Sequence, residues 1–452
     1  MGHHEQSLWW RKWKSSNPNS QNISRAQSRA PSPLPGDDKP RHEDRKDEID
    51  STPTRRNSAS LRIRLRHFTW AWFTLPMSTG GIALLLHATP HQFHGLYTIG
   101  KIVYVFDIVV FLLLCSGITA RFVLYPGTLR ASLMHPTEAL FFPTFWLAAV
   151  NIVNGMQVYG VESLRHRVES HGGGEWLITT LRILFWAYLA ATFVVAVLQY
   201  LYLFSAKPHR LTIQSMTPAW ILPIFPVMLS GTLASSLAPD QPVDHRLSVI
   251  LAGLTMQGLG WMVSLMVYAI YLHRLMQFGL PAPNLRPGMF ISVGPPSFTG
   301  LALIGMSQAL PSDVGYFVER PGAVMVLQTV ADFVAVFLWS LSFWFFCVTA
   351  LSLLAGVKRM SFHLVWWAFV FPNVGFTLAT IRIGQQLKSE AILWIASAMT
   401  ILLVMMWIFV FVAHVRAVLQ QRIMMPGMDE DKDEYKEDDR IAKVPIPPDE
   451  HH

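Results

Sequence analysis

The sequence predicts an all-α, polytopic membrane protein with ten transmembrane helices arranged as five helical hairpins. Three observations lead there. Of 452 residues, 52% are hydrophobic and only 14% are charged, whereas a soluble domain carries about 25% charged residues; the mean hydropathy is +0.33. The charges gather at the ends: residues 1–66 carry a net +6 and residues 417–452 a net −5. The long stretch between them is too apolar for one soluble core, and its apolar runs reach the roughly 20 residues that span a bilayer.

Residues 1–66 read as a disordered N-terminal tail, rich in Ser, Pro, Asn, Arg and Asp, with nothing able to bury a core. The segment Leu8–Lys14, LWWRKWK, interleaves Trp with Lys and Arg. Two readings stand for it: an element lying on an anionic membrane surface, or an inert tail. Arg55-Arg56-Asn57-Ser58 has the pattern of a basic-directed kinase site, a short match that arises readily by chance. No signal peptide is expected, because the N-terminus is polar and the first apolar run starts near Phe68.

Ten spans follow, over residues 68–87, 100–124, 137–159, 175–204, 218–238, 247–272, 287–310, 322–354, 364–383 and 391–416. Several exceed the bilayer thickness and must tilt or protrude. Every linker is short, so consecutive helices should be antiparallel neighbours. An even span number puts both termini on one side. With that side cytosolic, inner loops carry Arg130, Lys207, Arg210, Arg274, Arg286, Lys358 and Arg359, and outer loops Arg165, Arg167, Arg246, Arg320 and Lys388. Arg62, Arg64 and Arg66 before the first span, and Arg416 and Arg422 after the last, strengthen that bias. Residues 417–452, containing DEDKDEYKEDD, read as a solvated acidic tail. Cys115 and Cys347 lie in apolar runs and read as structural thiols.

Proline falls in a pattern. Pro76, Pro143, Pro226, Pro296 and Pro372 lie inside spans 1, 3, 5, 7 and 9, and no even span has an internal proline. Trp70, Trp220, Phe290 and Trp366 each lie six residues before the proline of their span; span 3 has Thr137 there. The chain thus reads as one helix hairpin repeated five times. Proline removes a backbone N–H and frees a carbonyl, which in hydrocarbon must be satisfied by protein or by water in a cavity. The five kinked odd helices should therefore face one another around a polar axis, and the straight, more apolar even helices should face lipid.

The segments HFTWAWFTLPMSTGGIALLL (His67 to Leu86), HPTEALFFPTFW (His135 to Trp146), QSMTPAWILPIFPVMLSGTLAS (Gln214 to Ser235) and WWAFVFPNVGFTLATIRIG (Trp366 to Gly384) resemble the tellurite-resistance/dicarboxylate transporter superfamily. That superfamily includes plant slow anion channels, fungal sulfite pumps and fungal malic acid transporters, and the last are the most similar. The resemblance covers roughly residues 67–416 and neither tail. It implies five hairpins in quasi-five-fold arrangement around a central pore lined by the odd helices, and a homotrimer with one pore per subunit in the plasma membrane. It implies transport of organic anions, malate and related C4-dicarboxylates first, with a sulfite efflux pump or small-anion channel of the same fold as the alternative.

An anion path needs positive potential and hydrogen-bond donors, with few carboxylates on its axis. Donors on the odd spans are Ser78, Thr79, Thr144, Asn151, Asn154, Ser230, Thr299 and Thr377, although a helical Ser or Thr can equally back-bond to its own helix. Arg382 lies ten residues past Pro372, either to pair with a substrate carboxylate or to anchor the helix at the interface. Glu138 is the single carboxylate of the odd spans. Asp107 and Asp332, on even spans, lie away from the axis and read as structural partners first, with proton coupling as the alternative. Phe371, directly before Pro372, matches the position where the resemblance implies a phenylalanine across the pore; without that resemblance it reads as core packing. No metal-ligating spacing, enzyme constellation, phosphate-cradling glycine loop or nucleic-acid motif occurs, so no cofactor, metal or nucleic acid is expected. The expected partners are small organic anions and lipid.

Overall fold

A computed structural model of the chain describes residues 61–164, 175–205, 211–312 and 315–424. The LWWRKWK segment, the Arg55–Ser58 motif, the DEDKDEYKEDD run and the loop cations Arg165, Arg167, Lys207 and Arg210 lie outside these residues. Among the described residues the secondary structure is helical throughout, with no strand.

A helix falls on each of the ten predicted spans: α1 Thr74–Ala88, α2 Leu96–Leu124, α3 Pro143–Gly155, α4 Glu175–Ser205, α5 Phe225–Leu237, α6 Val243–Phe278, α7 Gly294–Gln308, α8 Ala323–Leu354, α9 Phe371–Gln386 and α10 Glu390–Leu419. Eight of the resulting helical stretches are long and apolar enough to cross a membrane among the described residues. All five odd α-helices, 13 to 16 residues long, are shorter than their spans because each span begins as a 3-10 segment.

The 3-10 segments explain the prolines. Trp70–Phe73 precedes α1, Pro218–Ile221 precedes α5, Pro283–Val293 precedes α7 and Leu364–Phe369 precedes α9. The repeated aromatic sits in this segment, and the proline sits in the first turn of the α-helix that follows. A missing N–H costs least in a first turn, so the proline marks a junction between two helix types where a mid-helix kink was expected.

The carbonyls freed by two prolines are met by neighbouring even helices. Pro296 cannot donate to Ser292 O, and Tyr268 Oη of α6 donates to it instead at 2.8 Å. Pro143 cannot donate to Ala139 O, which accepts from Phe142 N at 3.1 Å and also from Gln199 Nε2 of α4 at 2.6 Å. Tyr188 Oη donates to Pro226 O at 3.0 Å and Tyr200 Oη to Trp220 O at 3.0 Å. Protein donors thus fill a demand that bare hydrocarbon would leave unmet.

The odd helices close into a ring: α1 packs on α3, α3 on α5, α5 on α7, α7 on α9, and α9 back on α1. The even helices lie outside it. The apolar stretches of Ala139–Leu164, Pro283–Gln308 and Leu364–Gln386 are 61%, 89% and 78% buried, against 17–33% for the five even stretches. Exposed apolar side chains such as Ile102, Phe333, Phe337 and Leu402 cover the outer helices, the surface that lipid requires. This is the expected polytopic all-helical fold, with five hairpins around one axis.

A buried ion pair ties hairpin 1 to hairpin 2. Arg121 of α2 and Glu138, just before α3, are both fully buried; Nη1 donates to Oε1 at 2.5 Å and Nη2 to Oε2 at 3.3 Å. Arg121 Nη1 also donates to Phe68 O at 2.9 Å. The one carboxylate of the odd spans is therefore matched by a cation from an even span. Asp107 lies behind the ring, against Gly80 of α1 and Asn151 of α3; a Cβ on Gly80 would meet its Oδ2 at 2.7 Å. Cys115 and Cys347 are free thiols.

Candidate functional site

The ring encloses a cavity of about 830 Å³ at the end where the odd helices finish and the even ones begin. Its wall is drawn from all five odd segments: Leu84 and His87 from α1, Asn154 from α3 and Gln157 and Glu162 just beyond it, Thr232 and Ser235 from α5, Leu301 and Gly305 from α7, and Leu378, Ile381, Arg382 and Gln385 from α9. No even helix contributes. The cavity is open to one side and forms a vestibule.

Two predicted binding residues line this vestibule, Arg382 and Asn154. Arg382 is exposed within it, and its Nη1 reaches Gln385 Oε1 at a long 3.4 Å. No carboxylate pairs with it among the described residues. Asn154 lies two residues before a π-helical turn, Met156–Val161, that carries the chain past the wall. Asn154, Gln157, Val158, Val161 and Glu162 line the cavity at the spacing of one helix face.

The predicted hydroxyls are mostly committed elsewhere. Thr79, Thr299 and Thr377 donate to the carbonyls of Leu75, Pro295 and Asn373, four residues back, at 2.9, 2.7 and 2.8 Å. Ser78 donates to Trp367 O at 3.3 Å, and Thr144 to Phe141 O and Trp70 O at 2.7 and 2.9 Å. Thr79 and Thr299 also accept from Trp407 Nε1 and Gln257 Nε2 of even helices, at 3.1 and 2.8 Å. These groups fasten the ring together, which is the back-bonding fate open to any helical Ser or Thr. Ser230 is fully buried and its hydroxyl has no hydrogen-bond partner among the described residues.

The vestibule also holds groups that the sequence did not single out. Glu162 accepts from or pairs with His87 across 3.1 Å, joining the ends of the first and third spans. Gln157 Nε2 donates to Asp240 Oδ2, joining the third to the fifth. Two carboxylates therefore share the vestibule with Arg382. Both lie just beyond the predicted span ends, where sequence offered only loop polarity.

Further along the axis, Phe371 is buried at 1% exposure. Its ring stacks on Phe298 of α7, with centroids 5.2 Å apart and planes at 28°, and meets the edge of Phe225 of α5 at 6.0 Å. A small apolar cavity of about 20 Å³ adjoins it, lined again by all five odd segments, with Met77, Thr144, Leu222, Ile291 and Phe371 among its residues. The space beside Gly375, on the same helix as Phe371, is filled by Phe298: a Cβ on Gly375 would meet that ring at 2.5–2.8 Å.

The voltage-dependent anion channel family matches residues 67–415. A malic acid transport protein of Schizosaccharomyces pombe is 37% identical over 374 residues, covering 82% of this chain and 83% of that protein. A sulfite efflux pump of Arthroderma benhamiae is 26% identical over 362 residues, covering 77% and 90%. An uncharacterized transporter of Methanocaldococcus jannaschii is 23% identical over 363 residues, covering 79% and 97%.

Proposed function

The chain belongs to the voltage-dependent anion channel family, a membrane transport protein and not an enzyme, and we propose that it carries malate and related C4-dicarboxylates along the axis of the odd-helix ring. The observation that carries this reading is the vestibule. It is built from all five odd segments, holds Arg382 in its wall, and is followed along the same axis by an apolar constriction. In this reading Arg382 concentrates dianions and takes a carboxylate in its planar fork, and Asn154 offers its amide. Phe371 closes the neck beyond, where an apolar ring excludes water and the anion with it. Pro76, Pro143, Pro226, Pro296 and Pro372 set the helix junctions that shape the neck. The likeness to a malic acid transport protein supports malate over sulfite.

The same reading makes residues 67–416 a ten-span transport unit in the plasma membrane, with the tails 1–66 and 417–452 both cytosolic. The basic residues before α1 and after α10 support that orientation. The family resemblance supports a homotrimer with one path per subunit. Radiolabelled malate flux in a host lacking dicarboxylate uptake, with sulfite sensitivity scored in parallel, tests the substrate. Malate flux above the host background is expected. Sulfite resistance without malate flux would replace malate by sulfite, and neither would remove the transport reading.

A further inference from the structure

Three consecutive inner helices each place one phenylalanine on a glycine of the next. Phe225 of α5 lies on Gly294 of α7, where a Cβ would meet its ring at 2.7 Å. Phe298 of α7 lies on Gly375 of α9, at 2.5–2.8 Å by the same measure. Phe371 of α9 faces Gly81 of α1, at an ordinary 3.4 Å. The first two rings are thus seated on bare backbone with no slack, and the third is not. The three rings also touch one another, with Phe225 edge-on to Phe298 at 5.8 Å and to Phe371 at 6.0 Å, and Phe298 stacked on Phe371. All three are buried.

We propose that Phe298 is a positioning residue for the neck: seated on Gly375, it holds the Phe371 ring across the axis, and Phe371 moves only when Phe298 leaves that seat. This rests on the reading of Phe371 as the closing ring. On its Gly81 side Phe371 shares the space with Val374, where a Cβ would meet Val374 at 3.3 Å and Phe371 at 3.4 Å, so the ring cannot turn aside there. The larger space it needs lies beside Gly375, and Phe298 fills it. Opening is then a coupled motion of two rings on adjacent helices, with the seat passing from one to the other. Glycine at 375 is required because any side chain would drive Phe298 onto Phe371.

The seat gives two perturbations of opposite sign acting through one ring. Phe298→Ala vacates the seat, so malate flux per surface-labelled protein should rise. Gly375→Ala fills it, so flux should fall. The decisive chain carries both changes: with no ring to displace, the added methyl does no harm, and flux should return at least to the parental level. Coupling between touching side chains is expected to be about twofold or more on a flux scale. Phe298→Leu, which keeps most of the volume, guards against simple loss of folding and should raise flux less than Phe298→Ala. Packing alone also relieves the clash in the double variant, but it predicts that Phe298→Ala by itself lowers flux per surface-labelled protein, and that result would overturn the proposal. Phe371→Ala is measured alongside. If it fails to raise flux, the closing-ring reading itself falls. If it raises flux while the Phe298 and Gly375 variants neither oppose nor rescue each other, only the positioning role falls.

Discussion

Replacing Arg382 with Gln should lower malate flux by an amount that depends on salt, and its size follows from the vestibule. A cavity of about 830 Å³, taken as a sphere, has a radius of about 6 Å, so a charge on its wall acts on an anion at its centre with about 0.7 kcal/mol per unit charge in a water-like dielectric. A dicarboxylate dianion gains about 1.4 kcal/mol, which is a tenfold higher local concentration. At physiological ionic strength the Debye length is about 8 Å, which cuts the attraction roughly in half and leaves about a threefold effect. Flux of radiolabelled malate into proteoliposomes, at substrate well below saturation, checks this at low and at physiological salt. Arg382→Gln should lose about tenfold at low salt and about threefold at physiological salt, while Arg382→Lys should retain most of the low-salt flux. A Gln variant equal to the parent at low salt would refute the electrostatic role. Equal losses in Lys and Gln at both salts would assign Arg382 to fork geometry or to anchoring.

Glu162→Gln should act with the opposite sign, raising malate flux by up to about tenfold at low salt, because it removes a negative charge from the same wall; Asp240→Asn should do likewise, and initial rates measured beside Arg382→Gln check both. Phe371→Ala should raise anion conductance and admit chloride, read as current per surface protein. A pure packing role instead costs about 3–5 kcal/mol of stability and lowers both expression and current. Glu138→Gln should destabilise the fold by about 3–5 kcal/mol by leaving Arg121 charged and buried, whereas Arg121→Met with Glu138→Met should recover much of that loss. Thermal unfolding in detergent separates the single from the double variant, and equal losses in both would mean that the pair itself, and not the orphaned charge, carries the stability.

The ring was legible because proline reports a backbone fact that holds wherever the helix ends up. A residue without an N–H has few acceptable places, so five prolines at one register marked five equivalent helix junctions, and the spans around them agree with the helices to within a few residues. What sequence misjudged was the form of the junction. A proline in a hydrophobic run reads as a kink in one helix, but the aromatic six residues upstream belongs to a 3-10 segment, and the tighter winding was not encoded in any single residue. The hydroxyls were legible only as a set. Thr79, Thr299 and Thr377 each have an acceptor four residues back on their own helix, and nothing local says whether a hydroxyl will use it. Arg382 escaped that ambiguity because a guanidinium has too many donors for one helix to absorb.

The missed residues share a different cause. Glu162, Asp240, Phe225 and Phe298 matter through partners 70 or more positions away in sequence, and no spacing rule reaches that far. Arg121 is similar: an arginine 17 residues before Glu138, within an apolar helix, reads as an interfacial anchor until the ring brings Glu138 against it. The same division explains how the even helices support the ring from outside it. Gln199 and Tyr268 donate to Ala139 O and Ser292 O, the carbonyls four residues before Pro143 and Pro296. The outer helices therefore do more than face lipid: their donors bond to backbone beside the prolines and so tie the inner helices to the outer ones.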